Sequence, residues 1–381
     1  MTTVRLYDEN SHLSEFTATV LSCEKCDGGF SVVLDRTAFF PEGGGQYGDR
    51  GCLNDAAVLD TQILCGTVHH ITDRPFNTGD TVRGSLDFKR RFAFMQNHSG
   101  EHIVSGIIHS LYGFDNVGFH LAEDFVTLDF NGVLDRAQLD AVEDIANERV
   151  WQNLDVRAYY PSNEELRQLE YRSKKALSGA VRIVEIENTD ICACCAPHVS
   201  KTGEIGIIKL LDTEKMRGGT RILMKCGAFA LADYRDKYSN IHSISARLSA
   251  KQENAAQAVE QLEQKLNAAK GETAELKRRM AAQIINSFDS DRMFLFQDNL
   301  DRSDIQSLAD GLHRTYGGVR AVFSPAQNGF AFAICGGEEE LSALFAEFKG
   351  ALCVRGGGRD GMVQGSVSAA REEIVEFFEK L

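Results

Sequence analysis

The sequence is poor in the features that place a chain in a membrane, in a secretory route or on bulk nucleic acid. No stretch of its 381 residues approaches the ~18 consecutive apolar residues of a membrane span. The start, Met1-Thr2-Thr3-Val4-Arg5, lacks the basic and then apolar segments of a signal peptide, which predicts a soluble, cytoplasmic protein. Basic residues are in deficit, 41 Lys+Arg against 55 Asp+Glu, for a formal net charge of −14. That balance argues against a general nucleic-acid coat, because nonspecific phosphate binding needs a basic face, but it leaves room for a local basic stripe. Proline numbers only five, and none interrupts the helical pattern of residues 88–113. Internal repeats and low-complexity segments are absent. What is present, 43% apolar and 25% charged residues, is an ordinary globular composition long enough for two or three domains.

Four domains are expected from the patterning. Residues 1–88 carry short strand signals, Phe30–Leu34 and Ala56–Asp60, separated by glycine clusters, and suggest a small β-barrel. Residues 89–236 mix helices with returning strands. Phe88, Arg91, Phe92, Met95, His98, His102, Ile103 and Ile107 fall at helical spacing, a second helix is predicted over Asp135–Val150, and a third, charged one over Asn163–Gly179. Strands are predicted at Val181–Ile186, Glu204–Leu211 and Thr220–Cys226. Residues 237–287 hold a 3–4 apolar seam from Ile241 to Ile284, which predicts a long helical or coiled-coil connector with a bend at Gly271. Residues 288–381 alternate strand-like and helical runs, the mark of an α/β module, ending in a helix over Ser366–Leu381. The fold class is therefore α+β, with an α/β domain at its C-terminal end.

Ten cysteines in a chain without a secretion signal predict thiol or metal chemistry rather than a disulfide framework. His98 and His102 lie at i and i+4 of a predicted helix, so both imidazoles project from one face and can share an ion. Farther along, Cys194 and His198 form a Cys-x3-His pair. Together the four make a tetrahedral N/S set, for which zinc, one per chain, is the expected ion, with Cys192 and Cys195 as alternatives to Cys194. A rival pattern overlaps it: His98-Ser99-Gly100-Glu101-His102 also matches the His-x-x-Glu-His peptidase motif, in which Glu101 is the general base. Cys23-x2-Cys26 stands alone, without a second pair.

Two glycine loops need explaining. Gly43-x-Gly45-x-x-Gly48 matches a dinucleotide fingerprint, but a strand rather than a helix is predicted after Asp49. Gly356-x-Gly358-x-x-Gly361 is predicted to lie between a strand and a helix, but too near Leu381 for a second strand. Neither carries the Gly-Lys-Ser/Thr of a P-loop, so no ATP site is expected. The adjacent Gly43, Gly44 and Gly45 let backbone amides approach a ribose or phosphodiester closely.

The run Thr37–Gly48, the pairs His98/His102 and Cys194/His198, and Arg217-Gly218-Gly219-Thr220-Arg221-Ile222 resemble, in this order, the editing domain of alanyl-tRNA synthetase and the free-standing AlaX alanyl-tRNA editing proteins. The tail Arg355–Gly365 resembles the Gly-rich motif of the C-terminal domain shared by that synthetase and DHH phosphoesterases. The layout is that of the long AlaX form, and no stretch resembles the aminoacylation domain. This resemblance implies a trans-acting hydrolase of mischarged alanine tRNA, chiefly Ser-tRNA(Ala) and also Gly-tRNA(Ala), with zinc on His98, His102, Cys194 and His198. It further implies that Gln46 positions water or the ribose, that the Thr37 hydroxyl reads the serine side chain, and that Gly43, Gly44, Gly45, Arg221, Arg355, Gly357 and Arg359 meet tRNA. A homodimer through the connector or the C-terminal domain is also expected. The alternatives are the peptidase, with Glu101 as its base, and a non-catalytic, zinc-stabilised tRNA-binding protein. Residues 241–284 carry +2 and residues 285–381 carry −6, which favours few, focused and salt-sensitive contacts with RNA.

Overall fold

In the computed structural model, which describes residues 3–173 and 180–381, alternating buried and exposed side chains build a closed barrel from β1 (Glu15–Cys26), β2 (Gly29–Leu34), β3 (Gly51–Leu53), β4 (Ala56–Leu64), β5 (Thr67–Thr72) and β6 (Thr81–Leu86), in the order β1-β2-β5-β4-β3-β6. The long β1 closes the ring, pairing with β2 through Val20–Cys26 and with β6 through Glu15–Thr19. Phe16, Val32, Leu34, Phe39, Leu53, Val58 and Val82 fill its interior.

His70, on β5, is fully buried there. Its Nδ1 lies 3.0 Å from the Val32 carbonyl, which can only accept, so Nδ1 carries the proton and Nε2 accepts from the Thr37 hydroxyl at 2.8 Å. Burial pushes His70 down to about 4 from its ordinary 6.5. Between those values the unfolded chain binds a proton that the folded one refuses, so stability falls as pH drops, by about 3 kcal/mol over the window. Urea unfolding at pH 7 and pH 4.5 should therefore show a shallower acid loss in His70→Gln than in the parent protein. Equal losses would show that His70 is not the titrating group.

Helix α1 (Phe88–Tyr112) starts where the Asp87 side chain accepts from the Arg90 amide and stops where Gly113 turns left-handed. Its apolar side, Phe94, Ile103, Ile107 and Ile108, is buried with residues of α2 (Arg136–Trp151) and of an antiparallel sheet. That sheet is built from β7 (Asn116–Leu121), β8 (Val126–Phe130), β12 (Ile208–Met216) and β13 (Gly219–Cys226), in the order β12-β13-β8-β7. Between them in sequence, β9 (Val156–Tyr159), β10 (Ile183–Ile186) and β11 (Asp190–Ala193) form a small sheet. Gly100 and Gly106 let α1 sit flush on its neighbours: a Cβ on Gly100 would collide with the Cys226 sulfur and one on Gly106 with the Thr189 carbonyl. This close approach offsets the ~1 kcal/mol cost of each helical glycine.

The chain divides into two compact units, Met1–Ser243 and Ile244–Leu381, the division falling inside α3 (Gly227–Leu248). In the second unit, α4 (Ala255–Asn286) runs to β14 (Phe294–Phe296), α5 (Arg302–Tyr316), β15 (Arg320–Ala326), β16 (Gly329–Cys335), α6 (Glu338–Ala351), β17 (Val354–Arg359), β18 (Met362–Val367) and α7 (Arg371–Glu379). Its sheet has the order β14-β15-β16-β18-β17. No helix among the described residues is long and apolar enough to cross a membrane.

Several boundaries differ from the sequence expectations. The seam breaks at Ser249–Asn254, where Ser249 takes a positive φ of 51°, and α4 passes through Gly271 without interruption. One glycine costs a long helix too little to break it. Along α4, Val259, Leu262, Leu266, Leu276 and Met280 are exposed. The helix expected over Ser366–Leu381 begins only at Arg371, because Ser366 and Val367 complete β18 against β16. The strand expected from Glu204 starts at Ile208, after a 3₁₀ turn stopped by Gly206. The helix expected over Asn163–Gly179 covers Asn163–Gln168, and residues 174–179 lie outside the described residues.

Candidate metal and catalytic site

Three elements of the first unit bring the site together. Helix α1 supplies His98 and His102 one turn apart, with stacked rings 5.7 Å between centroids. The loop after β11 supplies Cys194 and His198. The loop between Thr37 and β3 brings Gln46 to His98.

The ligand atoms of His98, His102, Cys194 and His198 all lie within 4.8 Å of one another. Cys194 Sγ is 3.5 Å from His98 Nε2 and 3.4 Å from His198 Nε2. Those separations match the edge of a tetrahedron with metal–nitrogen bonds of about 2.0 Å and metal–sulfur bonds of about 2.3 Å, an edge of about 3.5 Å. His102 Nε2 is buried without a hydrogen-bond partner. The donor set and this orphaned nitrogen fit a zinc ion.

Each histidine is oriented through its other nitrogen. His98 Nδ1 donates to Gln46 Oε1 at 3.0 Å, His102 Nδ1 to Asp190 Oδ2 at 2.8 Å, and His198 Nδ1 lies 3.2 Å from Ser99 Oγ. Such partners fix the tautomer that leaves Nε2 for a metal. Asp190 is itself held by Arg172 at 2.7 and 2.8 Å, and Arg182 donates to the carbonyls of Cys194 and Ala196. Burial alone would raise the Cys194 thiol, but the adjoining His98, His198 and His102 hold it well below the ordinary thiol range. A thiolate is the form a metal requires. Burial pushes His198 down to about 3. Burial acts the same way on His102, but the bond to Asp190 outweighs it and leaves this imidazole well above its usual value.

The three candidate cysteines separate in space. Cys194 joins the histidines, Cys192 lies with His102 and Asp190, and a Cβ on Gly44 would stand 3.5 Å from Cys195 Sγ. Cys226 packs against Gly100 instead, its thiol pushed up by burial. Glu101 turns its carboxylate to Ser105 Oγ and Asn116 Nδ2, each at 2.7 Å. Thr37 is buried. Its hydroxyl proton goes to His70 and one lone pair accepts from Phe39 N–H, which leaves one acceptor lone pair.

The loop Gly43–Gln46 is a tight turn closed by two reciprocal backbone bonds. Gly45 sits at φ +84°, and a Cβ there would strike Phe119. Arg221, on β13, forms a bidentate pair with Asp129 at 2.7 and 2.8 Å. The tail glycines are not a loop between a strand and a helix but a strand of the hairpin β17–β18. A Cβ on Gly356 or Gly358 would collide with the carbonyls of Gln364 or Met362, whereas Gly357 meets nothing within 4 Å. Arg355 and Arg359 are exposed on this strand.

Sequence reasoning passed over Asp190, Ser99, Arg172 and Arg182. Of these only Ser99 carried a local signal, lying between the two histidines. The others reach the site only through folding.

Residues 181–222, which hold Cys194, His198 and Arg221, match the family described as the threonyl and alanyl tRNA synthetase second additional domain. Residues 5–90, the barrel and glycine loop, match tRNA synthetases class II (A). The relationship to the synthetases thus reaches beyond the editing motifs. The chain is 31% identical to the alanyl-tRNA editing protein Aarsd1 of Bos taurus over 297 residues, covering 73% of this chain and 67% of that one. It is 28% identical over 393 residues to the alanyl-tRNA editing protein AlaX-L of Pyrococcus horikoshii, covering 98% and 96%. It is 30% identical to the alanine–tRNA ligase of Ignicoccus hospitalis over 75% of its length, and the match spans 33% of that ligase. The chain belongs to the family of alanyl-tRNA editing proteins.

Proposed function

We propose that the chain hydrolyses the ester joining a wrongly attached amino acid, serine above all and glycine second, to alanine tRNA, acting in trans on the released tRNA. The observation that carries this reading is the cluster of the buried His98, His102 and His198 with the half-buried Cys194, where His98 meets Gln46 of the glycine loop. The relatives, named as alanyl-tRNA editing proteins, support it. One zinc ion per chain, held by these four residues, would supply a Lewis-acid charge beside the ester.

The chemical need is plain. A synthetic pocket built for alanine rejects serine by only about a hundredfold, whereas a second site that hydrogen-bonds the hydroxyl can discriminate by ~10⁴ or more. Thr37 keeps one lone pair for that hydroxyl, and Gln46 is held at His98 to position water or the terminal ribose. Gly43, Gly44 and Gly45 offer backbone to the 3′ end. Arg221, braced by Asp129, and the exposed Arg355, Gly357 and Arg359 provide the few focused contacts that an acidic protein can make with tRNA.

In this reading residues 1–88 form the glycine-loop barrel, 89–236 the editing domain, 237–287 a connector with coiled-coil character, and 288–381 the module that grips tRNA, with dimerisation through one of the last two. The protein acts in the cytoplasm.

The test is incubation with alanine tRNA charged separately with serine, glycine and alanine, with and without a chelator. The expected result is rapid loss of serine, slower loss of glycine, an intact alanyl ester and no hydrolysis after chelation. A stable seryl ester, with the tRNA bound but not turned over, would leave a binding protein instead.

A further inference from the structure

We infer that Gln46 is a two-sided catalytic residue, whose amide nitrogen donates a hydrogen bond to the ester carbonyl oxygen as it gains negative charge. This inference rests on the deacylase reading. The side chain is buried, its Oε1 accepts from His98 Nδ1 at 3.0 Å, and its Nε2 has no partner. The pairing also settles which end is which: an acceptor must face His98 Nδ1–H if His98 Nε2 is to keep its lone pair, so the two N–H groups face away from the ring.

A buried amide donor without a partner costs roughly 1–3 kcal/mol. The fold holds it there rigidly. Gly43 and Gln46 exchange backbone bonds of 3.0 and 3.1 Å, Leu121 N–H donates to the Gly45 carbonyl at 2.9 Å, and Gly45 takes a left-handed φ of +84° at which a Cβ would strike Phe119. Gln46 also borders a small cavity of about 290 Å³ together with Gly43, Gly45, Tyr47 and His120.

A donor-only group takes an acceptor, and of the ester's oxygens the carbonyl oxygen is the one whose charge grows. Water oxygen bonds to the carbonyl carbon and the carbonyl π pair moves onto oxygen, where Gln46 Nε2–H meets it. Collapse then breaks the bond to the ribose oxygen, which leaves with the proton that water gives up. Ester and water become amino acid and free tRNA end, with no further reactant. A donor fixed in place before the charge develops is worth ~10²–10³ in kcat.

Gln46→Glu keeps the acceptor facing His98 and removes the donor. Gln46→Leu removes both. Three readouts separate the roles: zinc retained during dialysis against a chelator, kcat and KM on Ser-tRNA(Ala), and affinity for the non-hydrolysable amide analogue of seryl-adenosine. Gln46→Glu should hold zinc like the parent and bind the amide analogue normally, but lose 10²–10³ in kcat at unchanged KM. Gln46→Leu should in addition release zinc about 10–100-fold more readily. Parent-like kcat in Gln46→Glu, or a loss confined to KM, would overturn the inference. A parent protein that leaves Ser-tRNA(Ala) intact would instead remove the deacylase reading, while the zinc readout would still report the bond to His98.

Discussion

His98→Ala protein is expected to emerge from purification without zinc and to leave Ser-tRNA(Ala) intact, and Cys194→Ser is expected to do the same. Both residues donate from opposite sides of one narrow cluster, with His98 Nε2 only 3.5 Å from Cys194 Sγ. Cys192 lies with His102 and Asp190, and Cys195 lies by Gly44, so neither stands where Cys194 meets His98 and His198. A graded control comes from Asp190→Asn, which leaves all four donors in place but weakens the anchor of His102. It should lower metal affinity about 10–100-fold and restore activity when zinc is added in excess. The measurements are zinc per chain and the rate of ester loss. Full activity in a metal-free His98→Ala protein would overturn the scheme.

The largest effect on stability is expected at Arg91. This side chain is completely buried in α1, and its guanidinium donates to Asp49 through Nε at 2.8 and 2.9 Å and through Nη2, and also to the Ser11 and Ala38 carbonyls at 3.1 and 2.7 Å. Asp49 in turn accepts from Phe40 N–H at 2.6 Å, at the exit of the glycine loop. One ion pair therefore ties the barrel, the loop that carries Gln46 and the helix that carries His98. Arg91→Met should destabilise the protein by about 3–5 kcal/mol, because it strands a buried carboxylate. Arg91→Met/Asp49→Leu should recover part of that loss, since an apolar pair removes the stranded charge but not the need of Phe40 N–H for an acceptor. Urea midpoints of the parent, single and double variants give the comparison. An additive double variant would place the cost in lost packing instead.

Much of the site was legible because it is local. A 3.6-residue period puts residues four apart on one face, so the His98/His102 pair could be read directly, as could the short Cys-x3-His pair. The supports were not, because they are remote: Gln46 is 52 residues from His98, Asp190 is 88 from His102, and His198 is 99 from Ser99. Periodicity tells which face of α1 is apolar but not which strand or loop lies against it. Arg91 shows the same limit. Its helical spacing among Phe88, Phe92 and Met95 suits a core-facing position, but its partner Asp49 lies in a loop that composition marks only as a turn.

The C-terminal glycines make the complementary point. Read along the chain, Gly356–Gly361 is a loop between a strand and a helix, but register with Met362–Val367 puts Gly356–Arg359 in a strand, where Gly356 and Gly358 let two backbones meet, and leaves Gly361 in the hairpin turn. By itself the sequence determined the residue types and local spacings that suit a metal, the helical character of the seam from Ile241 to Ile284 and the acidic balance of the chain. Only the tertiary structure decided which cysteine meets the histidines, which nitrogen of each imidazole is free and where Gln46 points its amide, because each depends on groups that come within hydrogen-bonding distance only when distant segments pack.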